Sequence, residues 1–144
     1  MDLKFETINF EIIENIAIIR LNRPNSYNSL NAKMAKELLE ISYECDTNKK
    51  IRAIILTGEG DKAFCAGGDL KSFHETGSVA KHLKMVTHDL HGAITKFSRM
   101  NSPLIVAVNG VAAGAGLSFV GFADLAIAKS SATFVSAYTK AGLT

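Results

Sequence analysis

The sequence predicts an α/β protein with a largely parallel sheet. Two apolar runs that end in glycine, AIILTG at 53–58 and PLIVAVNG at 103–110, read as buried strands. Two long segments with apolar residues at helical spacing precede them, one before each. Alternation of strand and helix favours parallel crossovers, because each helix can cover the sheet to which the chain returns.

The elements follow in order. INFEIIENIAIIRLNRP carries β-branched runs on either side of Glu14-Asn15, which predicts a β-hairpin with strands near residues 4 to 13 and 16 to 21. Pro24 and the polar NSYNSLN close it. From Asn31, Met34, Leu38, Ile41 and Cys45 recur on one helical face. Glu37, Glu40 and Glu44 fall among the other faces and read as solvated. RAIILTG then predicts a strand buried on both sides of the sheet. After a glycine-containing loop comes a second helix with the stripe Val79, Leu83, Val86, Leu90, Ile94 and Phe97. SPLIVAVNG opens a further strand at Pro103, GVAAGAGLSFVGFAD reads as the start of a helix, and ADLAIAKSSATF supplies a last short strand or two. No repeat, linker or low-complexity tract interrupts the chain, so one domain over 1–144 is expected.

Composition excludes several classes. With 144 residues, 47% hydrophobic and 21% charged, the chain can bury a real core and is not a disordered sequence. A net charge of +2 creates no strong field for nucleic acid or an anionic membrane, so neither partner is expected. Two cysteines, Cys45 and Cys65, fit a reducing compartment without a disulfide framework. MDLKFETINFEI contains acids and no signal-peptide core, and no apolar run approaches the roughly 20 residues of a membrane span. A soluble, cytoplasmic protein is the expectation.

Two segments share a chemical character: FCAGGDL at 64–70 and NGVAAGAGL at 109–117. Each follows a predicted strand and enters a predicted helix, where unpaired backbone N–H groups accumulate. A glycine inside a helix costs about 1 kcal/mol relative to alanine. So many small residues therefore point to a close approach, either of another backbone or of a ligand oxygen held between two N–H groups. Neither segment matches a nucleotide-binding loop.

The blocks LNRPNSYNSLN, AIILTGEGDKAFCAGGDLKSF and PLIVAVNGVAAGAGLSFVGFADLAIAKSSATF resemble, in order and spacing, the crotonase or enoyl-CoA hydratase/isomerase superfamily. The resemblance extends over essentially the whole chain. It implies a crotonase-like spiral of ββα units, of which these residues form the N-terminal core part, the C-terminal helical part being absent from the chain. Homotrimers or dimers of trimers are implied for the full-length protein. The implied substrate is an acyl-CoA thioester, with no cofactor besides the coenzyme A of the substrate itself, no metal, and an enolate held by two backbone donors. By position those donors fall on Gly68 and Ala115. Tyr27, Asn28 and Ser29, together with Ala66, Gly67, Asp69, Leu70 and Lys71, match the positions at which the family cradles coenzyme A.

The departures refine the expectation. Where hydratases of the family carry two glutamates, this chain has Ser118 and Tyr138. Neither is a carboxylate, so the two-glutamate addition of water is disfavoured. GVAAGAGLSF with FVSAYTKAGLT looks instead like the isomerase branch that includes the ring-epoxide isomerases of phenylacetyl-CoA breakdown. That branch places an aspartate just after a G-L-x-P segment, and this sequence ends at Gly142-Leu143-Thr144. The expected function is isomerisation of an acyl-CoA by double-bond shift or ring opening. The alternatives are a hydratase with an unconventional base and a non-catalytic acyl-CoA-binding relic.

Other candidates carry less chemistry. His88 and His91, three apart on the second helix and off its apolar stripe, read as a solvated face and not as a metal pair. His74 follows the first loop and is a possible substrate contact. Cys65 has no accompanying base and reads as a small buried residue. Asp69 is placed to cap a helix, and Asp124 to enter a strand.

Overall fold

The computed structural model describes residues 4 to 142. Leu143 and Thr144, at which the expected acidic segment would begin, lie outside the described residues.

The chain opens with β1 (Ile8–Ile13) and β2 (Ile16–Leu21), paired antiparallel with Ile13 opposite Ile16. Glu14 and Asn15 both have positive φ, 48° and 70°, the handedness that a two-residue hairpin needs. The first strand begins at Ile8, not near residue 4. The backbone of Glu6 and Thr7 is instead bound by a carboxylate of the next helix.

After a 3-10 turn at Pro24–Ser26 comes α1 (Ala32–Thr47), capped by Asn31, whose side chain accepts from the Met34 N–H at 2.9 Å. Then follow β3 (Ala53–Gly58), β4 (Ala63–Cys65), α2 (Leu70–His74), α3 (Val79–Phe97), β5 (Leu104–Val108), β6 (Val111–Ala113), α4 (Ala115–Phe122), β7 (Leu125–Ala128) and β8 (Thr133–Val135).

Two sheets result. The larger has the order β1-β2-β3-β5-β7 and is parallel from β2 onward; the smaller has the order β4-β6-β8 and is parallel throughout. Successive strands alternate between the sheets: β3 then β4, β5 then β6, β7 then β8. A helix follows each of the first two pairs. This is the expected spiral of ββα units, and its second strands are the elements that the simple alternation of strand and helix misses.

Alternate residues of β2, β3 and β5 are buried, among them Ile19, Leu21, Ile54, Leu56, Leu104 and Val106. Leu38 and Ile41 of α1 join this core, as do Val86, Leu90, Ala93 and Phe97 of α3, and the two helices pack on each other. The opposite side of these strands is half-buried, with Ile18, Ile55 and Ile105 in register. The expectation of burial on both sides is therefore corrected. On β7 and β8 the large apolar side chains Leu125, Ile127 and Phe134 are exposed.

Glu37 is the clearest departure from the expected solvent face of α1. It is only 3% exposed, and its carboxylate accepts from the N–H groups of Glu6 and Thr7 and from the Thr7 hydroxyl at 2.5 to 3.0 Å. A buried carboxylate needs such donors, and the chain preceding β1 supplies them.

Candidate active site

The small sheet brings the two glycine-rich segments together. β4 and β6 are parallel, with Ala63 opposite Val111 and Cys65 opposite Ala112, so both strands end at the same edge of the sheet. Ala66-Gly67-Gly68 follows β4 and turns into α2; Gly114 follows β6 and turns into α4. The expected single helix start at 110 is thus a strand, Val111–Ala113, then a turn at Gly114 with φ 52°, and only then a helix.

Close approach explains the small residues. A Cβ on Gly116 would lie 2.0 Å from the Cys65 carbonyl oxygen, and one on Gly110 would lie 2.5 Å from the Lys62 oxygen. Gly67, at φ 97°, would place a Cβ 3.0 Å from the Ala113 oxygen and 3.6 Å from the Ala115 nitrogen. The two loops lie against each other with no room for side chains between them.

Backbone hydrogen bonds tie the loops to their neighbours around Gly68 and Gly114. Leu30 N–H donates to Gly67 O at 2.7 Å and Asp69 N–H donates to Leu30 O at 2.8 Å, a bridge that brackets Gly68. Ala66 N–H donates to Tyr27 O at 3.0 Å, and Gly114 N–H to Val135 O at 3.0 Å. Among the described residues the N–H groups of Gly68 and Ala115 have no acceptor. Ala115 is the first residue of α4, where the helix dipole favours negative charge.

Both residues line a cavity of about 230 Å³. Its wall is mainly apolar: Leu30, Ala66, Gly67, Leu70, Phe73, Leu83, Val86, Leu90, Gly114 and Ala137, with Thr87, His91 and Tyr138 as the polar side chains. Among the described residues no carboxylate lines it.

The remaining predicted residues separate by what they touch. The Tyr138 hydroxyl is hydrogen-bonded to Ser118 Oγ at 2.9 Å, and Ser118 also reaches Gly114 O at 3.4 Å. Asp69 caps α2 by accepting from Ser72 N–H at 3.3 Å, and its other oxygen accepts from Arg23 Nη2 at 2.9 Å. Arg23 also donates to Ser29 O at 2.6 Å, so one guanidinium straps segment 23–29 to the first loop.

Asn28 is buried at φ 53°; its side chain accepts from Arg23 N–H and donates to the carbonyls of Glu59 and Ala63. The side chains of Asp69 and Asn28 are therefore consumed in holding the loops. Tyr27, 54% exposed, and the exposed Lys71 remain open to solvent.

Cys65 is fully buried and burial pushes its thiol up to about 12, which excludes it as a nucleophile at neutral pH. Asp124 accepts from Leu104 N–H at 2.7 Å and anchors the start of β5.

His88 and His91 are both exposed, as the solvated face expects, and His91 in addition meets the rim of the cavity, which His88 and His74 do not line. The spacing 83, 86, 87, 90, 91 on α3 is itself a helical face, wider than the apolar stripe alone, and that signal could have found Thr87 and His91. Arg23 left no comparable signal. Among the described residues no group of three His, Cys, Asp or Glu side chains is placed to hold a metal ion, and no helix is long and apolar enough to cross a membrane.

Residues 11–144 match the family model of enoyl-CoA hydratase/isomerase. A probable enoyl-CoA hydratase of Rhodobacter capsulatus is 38% identical over 144 aligned positions, covering 98% of this chain and 53% of the relative. A 1,2-epoxyphenylacetyl-CoA isomerase of Escherichia coli is 36% identical over 140 positions, covering 96% of this chain and 53% of the relative. Among solved structures, an enoyl-CoA hydratase of Mycobacterium smegmatis superposes with a TM-score of 0.89 at 29% identity, covering 96% of this chain and 53% of that one. The chain spans about half the length of the relatives it matches.

Proposed function

The chain belongs to the enoyl-CoA hydratase/isomerase family, and from that premise we propose that it serves as an acyl-CoA isomerase whose backbone holds an enolate oxygen. The observation that carries this reading is the pair of unpartnered N–H groups, of Gly68 and Ala115, on one mainly apolar cavity. A thioester carbonyl seated between them gains charge as its Cα proton leaves, and two fixed donors stabilise that charge more than they stabilise the neutral carbonyl. Such a donor contributes about 2.7–4 kcal/mol.

The apolar wall suits an acyl chain. Coenzyme A then runs along the edge formed by Tyr27 to Ser29 and Ala66 to Leu70, with Lys71 available to a phosphate. The family trimer is the assembly proposed for the whole protein.

Isomerisation is favoured over hydration by the side chains at two positions beside the loops. Hydration needs a base to activate water and an acid to protonate carbon, and the positions for those carboxylates hold the hydrogen-bonded pair Ser118 and Tyr138. The same bonded pair, which offers no carboxylate, supports a second reading, an acyl-CoA-binding protein without turnover.

One experiment separates the readings. The protein is offered a 3-enoyl-CoA and the corresponding 2-enoyl-CoA, and products are followed by mass spectrometry beside a direct binding measurement. Conversion of the 3-enoyl thioester at least about tenfold faster than hydration of the 2-enoyl thioester is expected. Faster hydration sinks the isomerase, and binding without any product leaves the second reading.

A further inference from the structure

We infer that Arg23 is a positioning residue for the Gly68 N–H, its guanidinium setting the direction in which that donor points. The inference rests on the two-donor reading and adds the side chain that aims one of the two.

Gly68 sits opposite Leu30 in an isolated parallel bridge. Leu30 N–H donates to Gly67 O and Asp69 N–H donates to Leu30 O, so both bonds of the bridge belong to the neighbours of Gly68. In a parallel pair the residue bracketed in this way turns its own N–H and carbonyl to the other side. The Gly68 donor therefore faces away from the Leu30 main chain, and any tilt of the bridge tilts it. A lone bridge has no neighbouring rungs to hold its angle.

Arg23 supplies that restraint from both sides. Its Nη1 donates to the carbonyl of Ser29, the residue before Leu30, at 2.6 Å, and its Nη2 donates to the carboxylate of Asp69, the residue after Gly68, at 2.9 Å. One planar fork thus spans the bridge, which a lysine, with its charge at a single point, cannot do. The fork is itself anchored. Arg23 N–H donates to Asn28 Oδ1 at 2.9 Å, and Arg23 O accepts from the N–H groups of Ser26 and Asn28, both at 2.9 Å.

The Arg23 and Asp69 side chains are only 20% and 14% exposed. Desolvation offsets much of the attraction in such a pair, so stability explains its presence poorly and fixed geometry explains it better. The other donor is held differently. Ala115 starts an eight-residue helix directly after Gly114, whose N–H is bonded to Val135 O of β8. The sheet fixes that loop, whereas a side chain fixes the loop of Gly68.

The test uses hexanoyl-CoA, labelled with carbon-13 at the thioester carbonyl, bound to wild-type protein, Arg23→Ala and Arg23→Lys. Isotope-edited infrared spectroscopy reads the carbonyl stretch, calorimetry the affinity, and amide hydrogen exchange the backbone. Wild type is expected to lower the stretching frequency relative to the thioester in water, because two fixed donors polarise the carbonyl. In R23A and R23K the downshift falls by at least about half, as one of two donors loses its aim. Affinity stays within about tenfold, the worth of one hydrogen bond. The Leu30 and Asp69 amides exchange at least about tenfold faster while those of β3 are unchanged. Added millimolar guanidinium restores part of the R23A downshift, which a merely structural role does not allow.

The wild-type carbonyl frequency in either variant overturns the assignment and leaves the two donors standing. Exchange that quickens in β3 as much as at Leu30 and Asp69 also overturns it, because Arg23 is then a general stabiliser. A loss of affinity beyond about tenfold in both variants does the same, since Arg23 then serves binding and not aim. Wild-type protein that fails to bind hexanoyl-CoA, or binds it without lowering the frequency, overturns the two-donor reading and this inference with it.

Discussion

Gly116 and Gly121 lie on the same helix, α4, and provide a paired test of whether close packing or helix propensity governs its sequence. Alanine at Gly121 meets nothing within 4 Å. It should gain about 0.5 kcal/mol, because alanine loses less conformational freedom than glycine on entering a helix. Alanine at Gly116 enters the same helix but places its Cβ 2.0 Å from the Cys65 carbonyl oxygen, 2.9 Å from its carbon and 3.0 Å from its Cβ. Ordinary contact begins at 3.4 Å, so the backbones must separate by 3.4 minus 2.0, or 1.4 Å. The obstacle is main chain within a paired strand and cannot rotate away.

Overpacking of this kind costs about 1–3 kcal/mol, and the displacement carries the Ala115 N–H with it. A misplacement of about 1 Å at a reacting centre can cost about 100-fold in rate. Urea denaturation of both variants, with turnover of a 3-enoyl-CoA, reads the two effects. The expected outcome is a G116A protein less stable than wild type by at least about 1 kcal/mol with turnover largely lost, beside a G121A protein slightly more stable and fully active. Equal stabilities within about 0.5 kcal/mol would refute the packing account of the glycine cluster.

Two further predictions concern buried groups. Glu37→Gln removes the charge from an acceptor of three hydrogen bonds and turns an N–H₂ group toward an N–H donor, so it should destabilise by about 2–4 kcal/mol in urea; a loss below about 0.5 kcal/mol would mean that solvent reaches the site. Burial pushes the thiols of Cys45 and Cys65 from 9.0 to about 12. Between those values the unfolded chain releases thiol protons that the native state keeps. Stability from this source is therefore complete below pH 9 and falls as pH rises toward 12, by at most about 1.4 kcal/mol per pH unit for each thiol. Native protein should resist thiol reagents at pH 8, and replacing both cysteines by alanine should flatten the alkaline decline; rapid native labelling of either thiol would contradict its burial.

The sequence made the long elements legible because their periodicity is local. The hairpin, α1, β3, α3 and β5 all announce themselves by apolar spacing, and the structure places them where that spacing puts them, apart from the later start of the first strand at Ile8. The small sheet was not legible in this way. β4 and β6 are three residues each, too short for any period to register, and they pair with each other across a long stretch of chain, whereas β8 falls largely within the last short strand or two expected of ADLAIAKSSATF. Glu37 was misread for a related reason: a charged residue on an amphipathic helix reads as solvated until a remote backbone supplies its donors.

The site divides along the same line. The two glycine-rich loops could be located because close backbone approach needs small residues, and small residues leave a mark in the sequence; the choice of Gly68 and Ala115 within them came from the family resemblance. Asp69 and Asn28 were also singled out, but for contact with ligand, whereas their side chains are spent on Arg23, Ser72 and the carbonyls of Glu59 and Ala63. A polar residue beside a reactive loop therefore has two employments that sequence cannot separate, holding the loop or meeting the substrate. Counting hydrogen bonds does separate them. After that count the N–H groups of Gly68 and Ala115 stand without an acceptor among the described residues.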